Sequence, residues 1–167
     1  MGHRSGACGG RGLVFLETRS VRRAAPRWKS ADESKEEILP VDKRPFQELK
    51  TILRILRSMR RVAIVGLSAN PMRPSYFVGY YLQRMGFEVV PVNPRYDEIL
   101  GLKCYPDLAS LPEAPEMVDV FRQPEDVPQI AEEALSVGAK ALWLQFGVVN
   151  EDAARRAQEA GLLVVMD

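Results

Sequence analysis

From residue 45 onward the chain alternates short apolar runs with segments whose apolar residues recur every three or four positions. The runs are Val62–Val65, Glu88–Val92, Met117–Phe121, Ala141–Leu144 and Leu162–Met166, and none alternates strictly between apolar and polar. Runs of this kind read as strands covered on both faces, as in a parallel sheet. Of the periodic segments, the first begins at Pro45 and places Phe46, Leu49, Leu53 and Leu56 on one stripe with Ile52 beside it. Lys50, Arg54 and Arg57 lie opposite, as on an amphipathic helix. A second helix is predicted after Pro74, with Phe77, Val78, Tyr81, Leu82 and Met85 facing inward and Gly86 ending it. Pro124 opens a third, with Glu125 and Asp126 in its first turn, an inner face of Val127, Ile130, Ala131, Ala134 and Leu135, and Gly138 at its end. Asn150 caps a fourth, again with acids (Glu151, Asp152) at its positive end, and Gly161 closes it.

Strand–helix alternation with right-handed crossovers predicts an α/β domain, a doubly wound parallel sheet of Rossmann type, over residues 45–167. Pro91 cannot donate to a ladder, so its strand is expected not to be hydrogen-bonded on both sides along its full length. Between Asp97 and Pro115 the chain is turn-rich, with a short extended piece at Lys103–Tyr105 and one helical turn expected around Leu108 and Leu111. Asp119 interrupts an apolar strand and needs a hydrogen-bond partner once buried.

Residues 1–44 differ from the rest. Arg4, Arg11, Arg19, Arg22, Arg23 and Arg27 precede Asp32, with Glu17 the lone acid among them. An Arg-rich, acid-poor leader is common to a mitochondrial transit peptide, a disordered tail and an extension upstream of a true start. A cytoplasmic protein is expected, with the mitochondrial matrix as the alternative. Over the whole chain 23 Lys and Arg balance 22 Asp and Glu, so no global field argues for nucleic acid or a membrane surface as partner. The two cysteines, Cys8 and Cys104, fit no metal spacing and read as reduced thiols.

In a doubly wound sheet ligands sit beyond the carboxyl ends of the strands, where the winding reverses. The loops to read are therefore Gly66–Pro74, Asn93–Arg95, Phe121–Pro124 and Gln145–Asn150. Gly66 permits a tight turn and a close backbone approach, and the helix behind it aims free amides at a phosphate-sized site. A dinucleotide fingerprint wants glycine two and five positions later, where this chain has Ser68 and Pro71. At the end of the second strand, where an NAD site wants an acid, it has Asn93-Pro94-Arg95. A cation there favours a phosphorylated ribose, found in NADP and in coenzyme A. Arg73 and Arg122 stand at neighbouring ligand-side loops. The only histidine, His3, lies in the leader, and no Ser-His, Cys-His or metal-ligand set can be assembled, so the visible chemistry is binding.

Several stretches in this order resemble the small CoA-binding domain proteins, relatives of the CoA-binding domain of the succinyl-CoA synthetase alpha subunit. They are Val65–Pro71 with Arg73-Pro74-Ser75, Val92–Arg95, Gly101 with Tyr105-Pro106, Val118–Arg122 with Pro124-Glu125, Trp143–Gln145 with Gly147–Asn150, and the closing Gly161–Asp167. The resemblance implies coenzyme A or acyl-CoA as ligand and no catalysis by this domain alone; the alternatives are an NADP-binding oxidoreductase-like domain, favoured by Arg95 but opposed by Ser68 and Pro71, and a structural or interaction domain whose nucleotide site is idle. It further implies that Gly66, Ser68, Asn70, Arg73 and Ser75 hold the pyrophosphate, and Asn93, Pro94 and Arg95 the phosphorylated adenosine. Phe121, Arg122, Pro124, Gln145 and Gly147 would line the adenine and pantetheine. A homo-oligomer or an acyl-CoA enzyme partner is compatible with it. Family members generally continue past the closing Met-Asp with a short tail; if that tail closes the site or covers the fifth strand, weaker binding or lower stability is expected without it. Residues 1–44 have no counterpart in the resemblance.

Overall fold

The computed structural model describes residues 46–166, so the expectations for residues 1–44, with His3 and Cys8, fall outside the described residues. Strands β1 (Arg61–Val65), β2 (Glu88–Val92), β5 (Met117–Val120), β6 (Ala141–Leu144) and β7 (Leu163–Met166) form one parallel sheet in the order β2-β1-β5-β6-β7. Their first residues run nearly level: Val62 lies beside Val89 and Met117, Met117 beside Ala141, and Ala141 beside Leu163. A two-residue hairpin, β3 (Glu98–Ile99) with β4 (Leu102–Lys103), occupies part of the turn-rich segment.

Alternation along each strand splits the core in two. Ala63, Val118, Val120, Leu142, Leu144 and Val164 meet α3 (Val127–Ser136) and α4 (Glu151–Glu159) on one face. Val62, Ile64, Met117, Ala141 and Val165 meet α1 (Leu49–Ser58) and α2 (Pro74–Arg84) on the other. Helices on both faces of a parallel sheet make this the doubly wound α/β architecture expected. Among the described residues no helix is long and apolar enough to cross a membrane.

Pro91 behaves as its chemistry requires. Among the described residues β2 is an edge strand whose other side carries a short parallel bridge from Val92 to Tyr105. The Tyr105 amide donates to the Pro91 carbonyl at 3.0 Å, so the missing N–H falls on the side away from β1. Asn150 caps α4 as expected, its side chain accepting from the Ala153 amide at 3.0 Å. At the far edge the Met166 amide donates to the Phe46 carbonyl (3.2 Å), so the chain just before α1 covers part of β7.

Two helices turn differently from their sequence stripes. In α1 the buried residue is Ile55, with Met59 just beyond the helix; Leu49 is exposed, and Phe46 precedes the helix and packs on the opposite core. In α2 the buried residues are Ser75 and Gly79, whereas Phe77 and Tyr81, expected inside, are exposed. The cause is close packing: a Cβ on Gly79 would lie 3.0 Å from Leu67 Cδ1 and 3.2 Å from Leu100 Cδ1. Small residues let α2 settle against the sheet, and the large aromatics are rotated outward. Around Leu108 there is a turn instead of a helix, closed by Ser110, whose amide and hydroxyl both donate to Asp107 Oδ1 (2.8 and 2.6 Å). The third helix begins as a 3-10 turn, Pro124–Asp126, before α3.

Candidate functional site

The winding reverses at β1: the chain leaves it toward β2 and returns across it to β5. At the carboxyl ends of these strands lies a cleft of about 190 Å³. Val65, Gly66, Val92 and Pro94 form one wall, Pro106, Asp107 and Leu108 a second, and Arg122, Asp126, Gln129, Ile130 and Glu133 the third. A cleft at the switch point is where this architecture takes its ligands.

Gly66 is required here by shape. Its φ is +86°, and a Cβ would sit 2.5 Å from the Phe121 carbonyl oxygen and 2.9 Å from Arg122 Cδ. The loop that follows is built from short polar side chains bonding to nearby backbone. Asn70 N–H donates to Ser68 Oγ (3.1 Å), Met72 N–H to Asn70 Oδ1 (3.0 Å), and Ser68 N–H to the buried Ser75 Oγ (3.1 Å). Ser75 therefore ties the loop to the first turn of α2. The Ala69 and Ser75 amides have no acceptor among the described residues. They and the Ser68 hydroxyl proton remain as donors beside the positive end of a helix, a set suited to phosphate.

Asn93 is a buried peg. Its Nδ2 donates to the Leu67 carbonyl (2.8 Å) and its Oδ1 accepts from the Arg95 amide (3.1 Å), locking the β2 corner to the glycine loop. Beneath it the Cys104 thiol donates to the Asn93 carbonyl (3.4 Å), and burial pushes its pKa up, which favours the protonated thiol. Arg73 and Arg95 are exposed on loops flanking the cleft, outside its lining, and neither forms an ion pair among the described residues. Arg122 lines the cleft, and its Nε donates to Asp126 Oδ2 at 3.1 Å, leaving the terminal nitrogens of the fork for a ligand.

The remaining expected residues play supporting parts. Phe121 is half-buried, and its carbonyl is the atom that crowds Gly66. The Pro124 carbonyl accepts from Asn150 Nδ2 (2.9 Å), joining the loops after β5 and β6. Gln145 Nε2 donates to Asp119 Oδ1 (2.9 Å), which gives the buried acid the partner it needed. Burial raises the Asp119 pKa to about 7, while Gln145 and the Val120 amide pull it down. Gly147 sits at φ +81° in the turn closed by the Val148 amide on the Gln145 carbonyl (2.8 Å). Thus Gly66, Pro94 and Arg122 line the cleft, whereas Ser68, Asn70, Arg73, Ser75, Asn93, Arg95, Phe121, Pro124, Gln145 and Gly147 are not part of its lining. The sequence reading missed Asp107, Gln129 and Glu133 in the lining; Tyr105-Pro106 immediately before Asp107 was the available signal. Phe146, within the Gln145–Asn150 loop singled out from the sequence, is 86% exposed and is not part of the cleft lining.

Sheet order, crevice position and glycine loop together define a Rossmann-like α/β domain with its ligand end at the β1/β5 switch. More particularly, the chain belongs to the CoA-binding domain family, whose model matches residues 60–167. It is 42% identical over 116 residues to the uncharacterized protein YneT of Bacillus subtilis, covering 70% of this chain and 86% of that one. It is also similar, at 30% identity over 108 residues, to an ADP-forming acetate–CoA ligase II of Archaeoglobus fulgidus; the match takes in 64% of this chain but 16% of the ligase. Among solved structures, a hypothetical protein from Pyrococcus horikoshii superposes with a TM-score of 0.69 at 38% identity, covering 80% of this chain and 92% of that one.

Proposed function

We propose that the crevice binds coenzyme A or an acyl-CoA and that this domain carries out no reaction on it unaided. The observation that carries the reading is the donor set at the switch point that has no acceptor among the described residues: the Ala69 and Ser75 amides, the Ser68 hydroxyl, the outer nitrogens of Arg122, and Arg73 and Arg95. These donors suit a pyrophosphate next to a further phosphate. Asp107, Gln129 and Glu133 offer acceptors to an adenine amino group and ribose hydroxyls, and the exposed Phe146 offers apolar surface to a pantetheine arm. Family membership supports the ligand class. An acyl-CoA enzyme that supplies the reacting groups is the fitting partner, since the chain's one histidine is His3.

Calorimetry with CoA, dephospho-CoA, NADP and NAD tests this directly. CoA is expected to bind in preference to NADP and NAD. Arg95→Ala is expected to weaken CoA about tenfold and dephospho-CoA much less, because a charge-assisted hydrogen bond is worth about 1.5–3 kcal/mol. A clear preference for NADP, or no binding of any of the four, would overturn the proposal. Equal losses for CoA and dephospho-CoA would remove Arg95 from the 3′-phosphate.

A further inference from the structure

The outward side of α2 breaks the pattern of its neighbours. α1 turns Lys50, Arg54 and Arg57 to solvent, and α4 turns Glu151, Asp152, Arg155, Arg156 and Glu159. α2 buries Ser75 and Gly79, and diametrically opposite them stand Phe77, Tyr80, Tyr81 and Arg84, spaced i, i+3, i+4 and i+7. Phe77, Tyr80 and Tyr81 are 66%, 46% and 52% exposed. A helix with apolar residues on both sides belongs between two packed layers, and among the described residues only one layer is in place.

We propose that the second layer is another copy of this chain, packing α2 antiparallel on α2 about a two-fold axis that passes between Tyr80 and Tyr81. Three observations select that occupant. Phe77 and Arg84 lie equally far from the midpoint of the stripe, so a two-fold there sets each Arg84 over the ring of the second copy's Phe77, a favourable cation–π pairing. A parallel pairing would instead oppose Arg84 to Arg84. Arg84 is also the stripe's only charge, and it has no ion-pair partner among the described residues. Third, an aromatic residue buries some 150–250 Å², so the exposed parts of these three supply roughly 300 Å² per copy. That is more than a third of the roughly 800 Å² per partner in a standard interface, concentrated in the residue types that dominate binding energy. The pairing sends the two Pro74 ends of α2 in opposite directions, so both crevices stay open; it does not depend on what they bind.

Sedimentation of the full chain across a concentration series, with Tyr81→Glu, Phe77→Glu and Arg84→Glu beside the wild type, tests the pairing. The wild type is expected to reach twice the mass of one chain in the micromolar range. Tyr81→Glu, which places like charges at the axis, is expected to weaken association by at least a hundredfold, with its melting temperature kept or raised when measured as a monomer. Phe77→Glu is expected to weaken it less, because the new carboxylate meets the second copy's Arg84; Arg84→Glu is expected to cost about tenfold. A wild type that stays monomeric throughout overturns the proposal. So does a dimer that Tyr81→Glu leaves intact, or a monomer destabilised by Tyr81→Glu, which would mean that the chain covers this face itself.

Discussion

Replacing Asp119 by Asn isolates the thermodynamic consequence of a carboxyl group sealed inside the sheet. Asp119 lies between Ile64 and Trp143 in register, is 1% exposed, and accepts from Gln145 Nε2 at 2.9 Å. Burial raises its pKa from 3.8 to about 7 in the folded chain, the hydrogen bonds from Gln145 and Val120 offsetting part of the rise. Below about pH 4 the group is protonated whether the chain is folded or not, and it carries no penalty. As pH climbs from about 4 to about 7 the unfolded chain releases the proton while the folded chain keeps it, so stability falls throughout that window. Above about 7 the loss is complete. Three pKa units at 1.36 kcal/mol each set a ceiling of about 4 kcal/mol, an order-of-magnitude figure. Asn has nearly the same shape and no charge, and the Gln145 amide can turn to present its oxygen. The variant is therefore expected to lack this downward slope, and to gain a few kcal/mol relative to the wild type between about pH 5 and pH 8. Guanidinium unfolding of both proteins at several pH values measures the difference in slope, which cancels any fixed cost of the substitution. Glu116 works in the opposite sense and over a lower range. Its pKa is lowered chiefly by the Arg60 amide and partly by Lys140, so its stabilisation is lost as pH falls through the acid range and is common to both proteins. Parallel pH profiles for wild type and variant would refute the reasoning, since they would require Asp119 to be equally ionised in both states.

Gly66→Ala is expected to destabilise the fold by about 2–4 kcal/mol, combining about 1–2 kcal/mol for a left-handed alanine with a Cβ driven against the Phe121 carbonyl. The same variant should lose measurable CoA binding; unchanged thermal unfolding and calorimetry would show that the glycine is incidental. Leu108→Ala, at a fully buried position on the cleft wall, is expected to cost about 2–5 kcal/mol in urea unfolding, and a loss below about 1 would mean that the turn-rich segment collapses to fill the hole.

What the chain discloses by itself is what local geometry controls. Apolar runs between periodic segments are enough for a doubly wound sheet, because a strand covered on both faces has no polar side to show. Gly66 at the first turn, Asn150 at the head of α4 and Pro91 on an edge strand were legible for the same reason: each acts within a few residues of itself. The facing of α2 was not, since Phe77 and Tyr81 have helical spacing, and what rotates them outward is the closeness of Leu67 and Leu100 to Gly79. Nor were the supporting roles of Asn93 and Gln145, whose partners Leu67 and Asp119 each stand 26 residues away in the chain. The lining acids Asp107 and Glu133 reach the cleft from the turn-rich segment and from α3, which come together only when the chain crosses back over β1. Periodicity records which residues leave water; which atoms they then meet is decided by packing between segments remote in sequence, where no local pattern carries the information.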